Sequence, residues 1–246
     1  MKIGIATAMA SERSQIERLL EKRETVVANG RRFCIGRIGR NEVVLGETGI
    51  GKVNAAIGAV EMIHGFHPDC LLSTGVAGGL DASLRVMDAV AASEVVYHDV
   101  DCGPGNEYGQ VQGCPARFPA DARLLAHARS LAVEGTTLAT GLMASGDCFV
   151  ARPEQIDAIR AHFPEALAVD MESGALAQAC HLLGVPFLSL RILSDVPDGD
   201  PDRFSQYTDF WATVSGRAFA LSRLFLEALP AALADIPLPS APDGKA

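Results

Sequence analysis

Five short stretches of the 246-residue chain pair a strand-like apolar run with residues able to face a ligand: "TAMASE" (7–12), "STGVAGG" (73–79), "MASGDCF" (143–149), "AVDMES" (168–173) and "RILSD" (191–195). Four carry acids, namely Glu12, Asp147, Asp170 with Glu172, and Asp195, and Arg191 stands four residues before the last acid. A carboxylate at a helix start can cap free N–H groups and interact well with the helix dipole. The same carboxylate turned into a cleft can meet a substrate. Caps explain any one of these acids, and four on one edge beside an arginine also fit a polar pocket. Residue type and spacing leave both readings open.

Other candidate motifs carry less. "GETGIGK" (46–52) fits G-x-x-x-x-G-K, but Val53 follows where a Mg²⁺-holding Ser or Thr is needed, and Glu47 would repel phosphates. "GVAGG" is not G-x-G-x-x-G; its glycines point to a close backbone approach by a ligand or another segment. His98, Asp99 and Asp101 in "YHDVD" alternate along one strand and cannot all converge on a metal, so a solvated strand end is expected. His64 and His67 fall at a helix end, where imidazole suits the dipole. There is no HExxH, no Cys/His zinc spacing and no GxSxG elbow, so neither a metal site nor a Ser or Cys nucleophile is expected. No cofactor is expected.

The elements that must position these residues alternate along the chain. Strands are expected at "KIGIATAM", "RRFCIGRIG", "NEVVLGETG", "PDCLLSTGVAGGL", "DAVAASEVVYHDV", "TTLATGLMAS", "EALAVDM" and "PFLSLRILSD". Helices are expected at "SERSQIERLLEKR", "KVNAAIGAVEMIHGF", "ADARLLAHARSLA", "RPEQIDAIRAHF", "SGALAQACHLLG" and, as one long final element, "FWATVSGRAFALSRLFLEAL" (210–229). No repeat or internal linker interrupts residues 1–232, and 233–246 is expected to be a tail without stable structure. The order implies a single α/β domain, a mixed, largely parallel central sheet flanked by helices. Ligands in such folds sit beyond the carboxyl ends of strands, where the five stretches lie.

Bulk properties limit the partners. Apolar residues at 48% support a large core, and a net charge of −9 without a basic run argues against nucleic acid and anionic membranes. The six cysteines are scattered without a CxxC pair, which fits a reducing cytosol better than a disulfide framework. The first apolar run, about eight residues long, meets Glu12 and Arg13 and reads as a strand rather than a secretory signal.

Taken together, "AMASE", "TGIGKVNAA", "STGVAGGL", "YHDVD…EYGQVQGCPARFPAD", "SGDCF", "VDMESGALA" and "RILSDVPD" resemble the bacterial 5′-methylthioadenosine/S-adenosylhomocysteine nucleosidases of the nucleoside phosphorylase superfamily. The match runs over about residues 1–230 in one order. The resemblance implies hydrolysis of an N-glycosidic bond, releasing adenine and a 5-substituted ribose through an oxocarbenium-like transition state. It implies that Asp195 is the acid that protonates adenine N7 and that Glu12 activates the water. It also implies that Glu172 holds the ribose hydroxyls and that Arg191 helps to fix the water. Phe149 matches the aromatic stacked on adenine, with the Val150 backbone reading the base edge. Ala77, Gly78 and Met171 match ribose contacts, Ile50 a further substrate contact, Ser194 a support for the acid, and Phe204 or Tyr207 the lid. A homodimer is implied, in which the 102–115 loop reaches the neighbouring pocket.

The chain departs from the family's pattern at Val76, where Ser is usual, at Asp170, where Glu is commoner, and at Gln112, where Pro is common. The Gly-rich "DCGPGNEYG" loop is one residue shorter and lacks apolar cover. A phosphorylase on the same fold needs cationic groups aimed at an anion, whereas the first loop here offers Glu12. A catalytically silent nucleoside-binding protein is the remaining alternative, and binding alone does not demand Glu12, Glu172 and Asp195 together.

Overall fold

The computed structural model describes residues 1–197, 202–213 and 219–238. In chain order the elements are β1 (Lys2–Thr7), α1 (Ala10–Glu17), β2 (Glu21–Ala28), β3 (Arg31–Ile38), β4 (Asn41–Glu47), α2 (Lys52–Phe66), β5 (Cys70–Gly79), β6 (Ala89–Tyr97), β7 (Phe118–Pro119), α3 (Ala122–Arg129), β8 (Leu138–Ser145), α4 (Pro153–His162), β9 (Ala166–Asp170), α5 (Ser173–Leu183), β10 (Phe187–Asp195), α6 (Arg203–Thr213) and α7 (Ala220–Ala228). The strands make one mixed ten-stranded sheet. Its two inner strands at the site, β5 and β10, carry apolar residues on both faces, and β10 is buried along its whole length. Strands covered on both faces need that pattern.

The sheet closes on itself. β5 pairs in parallel with β10, β10 antiparallel with β6, β6 and β8 in parallel, β8 and β9 in parallel, and β9 returns antiparallel to β5. The last of these contacts is short, Gly78 with Val169 and Gly79 with Ala168, so only the ends of two opposed strands overlap. The carboxyl ends of β5, β9 and β10 therefore meet at one place.

Three expected elements differ. α1 ends at Glu17, and "EKR" begins β2, an edge strand hidden from periodicity because its first five residues are exposed and four of them are charged. The expected helix at 210–229 is two elements among the described residues, since α6 already starts at Arg203 and α7 starts at Ala220, while 214–218 lie outside the described residues. Within the expected tail, Leu233–Asp235 form a 3₁₀ turn and Ile236 is buried, so this part packs on the core; residues 239–246 lie outside the described residues.

Candidate active site

A cleft opens where these strand ends meet. Its lining includes Glu12, Ile50, Ala77, Gly78, Phe149, Val150, Met171, Glu172, Ser194, Asp195 and Tyr207, all singled out from the sequence. Two expected residues stand apart. Arg191 lies buried behind the cleft, and Phe204 is 60% exposed outside it. Of the two lid candidates, Tyr207 borders the cleft and packs edge-on against Phe149 at 5.5 Å between centroids. Phe204 meets the same ring edge-on at 5.9 Å.

The five stretches divide the two readings between them. Asp147 accepts the Lys52 N–H at 2.7 Å, at the first residue of α2, and so acts as a cap. Glu12 is both cap and site: Oε2 accepts the Ala8 and Met9 N–H groups at 2.8 and 3.2 Å, while Oε1 accepts the Val76 N–H at 2.9 Å. Asp170 caps α5 through the Ser173 N–H and also pairs with Arg191 at 2.8 Å, a role beyond the strand-end support its type suggests. Glu172 makes no cap on its own helix. Its Oε1 accepts the Gly51 N–H at 2.9 Å, so the glycine-rich loop that imitates a phosphate loop gives its donors to carboxylates of the chain.

One guanidinium serves three buried carboxylates. Arg191 lies 2.8 Å from Asp170, 3.6 Å from Glu172 and 4.0 Å from Glu12, and it also donates to the Ser73 hydroxyl at 2.9 Å. Burial works against the Arg191 charge, but Asp170, Glu172 and Glu12 outweigh it and the cation is retained. The surplus of negative charge favours proton uptake. Burial, joined by Asp170 and Glu12, pushes the Glu172 carboxyl up to about 7 against the pull of Arg191 and the Gly51 N–H. Burial likewise pushes Glu12 above the ordinary carboxylate range, against Arg191 and three backbone donors.

Local backbone devices make room for this cluster. A Cβ at Gly75 would sit 2.2 Å from Glu12 Oε1, which is why the glycine-rich end of β5 admits another segment. On β10 the register against β5 slips between Leu193 and Asp195. Adjacent residues of a regular strand point to opposite faces, whereas a bulge re-aims them. Ser194 and Asp195 consequently both border the cleft.

Asp195 has a partner to which no motif points. Arg203 Nε donates to Oδ2 at 2.6 Å, and the arginine is only 2% exposed. "PDRFSQY" reads as a polar turn entering a helix, and nothing in its spacing ties Arg203 to a residue eight positions earlier. Burial pushes the Asp195 carboxyl above its ordinary range while Arg203 and the Ser194 hydroxyl pull the other way. Ala8, Met9, Cys148 and Val169 also line the cleft without having been singled out. Cys148 could have been found, since it sits beside Phe149 inside "SGDCF".

The closed mixed sheet and the carboxylate-lined cleft at its strand ends define the class. The family model described as Phosphorylase superfamily matches residues 2–227, and the chain belongs to that superfamily. A 5′-methylthioadenosine/S-adenosylhomocysteine nucleosidase of Geobacillus thermodenitrificans is 45% identical over 199 residues, 80% of this chain and 84% of the relative. The nucleosidase of the same name from Neisseria meningitidis, solved with methylthio-immucillin-A, superposes with a TM-score of 0.87 at 35% identity, covering 93% of this chain and 99% of that one. The Colwellia psychrerythraea nucleosidase, solved with adenine, gives 0.86 at 36% identity, covering 92% and 94%. Within the superfamily the chain is a member of the 5′-methylthioadenosine/S-adenosylhomocysteine nucleosidase family.

Proposed function

We propose that the cleft hydrolyses the N-glycosidic bond of 5′-methylthioadenosine and S-adenosylhomocysteine, releasing adenine and a 5-thio-substituted ribose. The observation that carries this reading over phosphorolysis is the charge of the cleft. Among the described lining residues there are four carboxylates, Glu12, Asp170, Glu172 and Asp195, and no lysine or arginine. A phosphate nucleophile would enter against that charge, while water enters freely and needs a base. Arg191, already shared by three carboxylates, offers no free guanidinium to an anion.

We infer the roles from the family resemblance, and the position of each residue in the cleft supports them. Adenine lies against the exposed face of Phe149, with Tyr207 closing from α6, Phe204 supporting from outside, and the Val150 backbone at the base edge. Asp195 gives its proton to adenine N7 as the C1′–N9 electron pair withdraws into the ring, with Ser194 supporting the acid. Glu172 holds the ribose hydroxyls above Met171, with Ala77 and Gly78 at the sugar and Ile50 toward the 5′ substituent. Glu12 takes a proton from the water that attacks C1′. Arg191 acts through the carboxylates, by fixing their positions, rather than by touching the water.

The assembly reading is a homodimer. α2 and α5 present an apolar face in which Val53 is 69% and Leu182 66% exposed, and a groove beside them reaches Val100, just before the 102–115 loop, and Val111 within it. A second copy covering this face would bring its loop to the neighbouring cleft. No helix among the described residues is long and apolar enough to cross a membrane. All six cysteines are free thiols, which supports a reducing cytoplasmic setting.

The test is adenine release from 5′-methylthioadenosine with and without phosphate, identifying the sugar product. The expected product is the free 5-methylthioribose at a rate independent of phosphate. Phosphate-dependent turnover to a ribose 1-phosphate would overturn the hydrolytic reading.

A further inference from the structure

We propose that Arg203 is a positioning residue that reserves Asp195 Oδ2, assigns the donated proton to Oδ1, and tunes how readily that proton leaves. The inference rests on the nucleosidase reading above and concerns how its acid is managed.

The two oxygens of Asp195 are in different surroundings. Oδ2 accepts Arg203 Nε at 2.6 Å, and Arg203 is held in turn by donating from Nη2 to the Gly79 carbonyl at 2.9 Å. An oxygen bound this tightly to a permanent cation is a poor place for a proton. Oδ1 accepts the Ser194 hydroxyl at 2.7 Å, and that hydroxyl has a second acceptor, the Ala77 carbonyl, at 3.3 Å. Ser194 can therefore swing to Ala77 when Oδ1 carries a proton and swing back once the proton is gone. β5 is built around the pair as well. A Cβ at Gly78 would lie 2.4 Å from Arg203 Nη2 and 3.0 Å from Asp195 Oδ2, so only glycine leaves the fork in place.

The step then balances. The C1′–N9 bond breaks and its electron pair enters the purine, while the proton on Oδ1 moves to N7. Asp195 is left as a carboxylate with Arg203 on one oxygen and the Ser194 hydroxyl on the other. Arg203 favours the charged product of donation over the protonated acid before it, so it strengthens the acid at the expense of its occupancy. The other titratable groups bordering the cleft with Asp195 are Tyr207 on α6, Glu12 on α1, Asp170 at the end of β9, Glu172 between β9 and α5, and Cys148 after β8. On its own strand Arg191 is held by three carboxylates, and the facing β5 residues Ala77 to Gly79 carry no charge.

The test compares pH profiles of kcat and kcat/KM for 5′-methylthioadenosine in the unaltered protein, Arg203→Met, Arg203→Lys and Gly78→Ala. Losing the cation makes Asp195 a weaker acid, so the alkaline limb of Arg203→Met should move up by about one pH unit, tenfold in the protonation equilibrium, while kcat falls about tenfold. Arg203→Lys keeps the charge without the fork and should return the limb most of the way. Gly78→Ala displaces Arg203 without removing it and should reproduce the upward move, which covers the case of a poorly folded methionine variant. A limb that stays in place in both Arg203→Met and Gly78→Ala, or a loss confined to KM, would reduce Arg203 to a fastener for α6 and overturn the proposal. An unaltered protein that releases no adenine would instead overturn the nucleosidase reading.

Discussion

Replacing Glu172 by Gln should change the pH dependence of stability in a way its location dictates. The Glu172 carboxyl is pushed from an ordinary 4.5 to about 7, first by burial and then by Asp170 and Glu12. The folded protein thus binds this proton more tightly than the unfolded chain does. The resulting stabilisation is complete below pH 4.5 and is lost as the pH rises through about 7. A displacement of that size, at about 1.4 kcal/mol per pH unit, amounts to about 3 kcal/mol. Glu172→Gln keeps an oxygen for the Gly51 N–H and gives up only the 3.6 Å approach to Arg191. Glu12 shares Arg191 and inherits part of the proton affinity, so about 3 kcal/mol is an upper bound. Urea unfolding followed by far-UV circular dichroism at pH 5, 6, 7 and 8 measures the effect. The variant should gain on the unaltered protein from pH 5 to about 7 and level off by pH 8, while its turnover collapses. A difference between the two that stays constant from pH 5 to pH 8 would refute the claim that Glu172 is the strained acid of the cluster.

Other outcomes are equally specific. Asp195→Asn should lower kcat by about 10²- to 10⁴-fold, the range of general acid assistance, with an unchanged circular dichroism spectrum; an active Asn variant would place the acid elsewhere. Phe149→Ala removes the ring that borders the cleft beside Tyr207 and should weaken adenine binding by about 1 kcal/mol or more, measured by calorimetry. Leu182→Glu puts a charge on the apolar α5 face, where Leu182 is 66% exposed, and should convert a dimer to monomers in light scattering with the monomer still folded.

The legible part of this protein was the set of strand exits, because buried strands with glycines and acids at their ends leave strong marks in a sequence. The closure of the sheet was not legible. It depends on a contact of two residues at the end of each of β5 and β9, too short to leave a pattern. The bulge before Asp195 was equally hidden, since "RILSD" carries no glycine or proline to mark a break in the strand. β2 escaped notice because an edge strand with its first five residues exposed has no apolar face to announce it. Arg203 was missed for another reason: its partner lies in space, across a connection whose residues carry no periodicity.

The opposition between helix cap and active-site acid dissolves on physical grounds. A cap must present a carboxylate to unpaired N–H groups at an element's start, and a ligand site beyond strand ends is surrounded by such starts. Glu12 holds the entry to α1 and Glu172 the entry to α2, and in doing so each is pinned in one rotamer at the edge of the cleft. Pinning also costs the carboxylates their water, which raises their proton affinity and leaves Arg191 unable to neutralise all three. The same contacts therefore supply both the rigidity and the strained protonation that acid–base chemistry requires. Asp147 separates the two requirements: it caps α2 as tightly as Glu172 does, yet it lies outside the cleft lining and shares no cation with the cluster. Position behind or beyond the cleft, rather than residue type, decides which caps can also do chemistry.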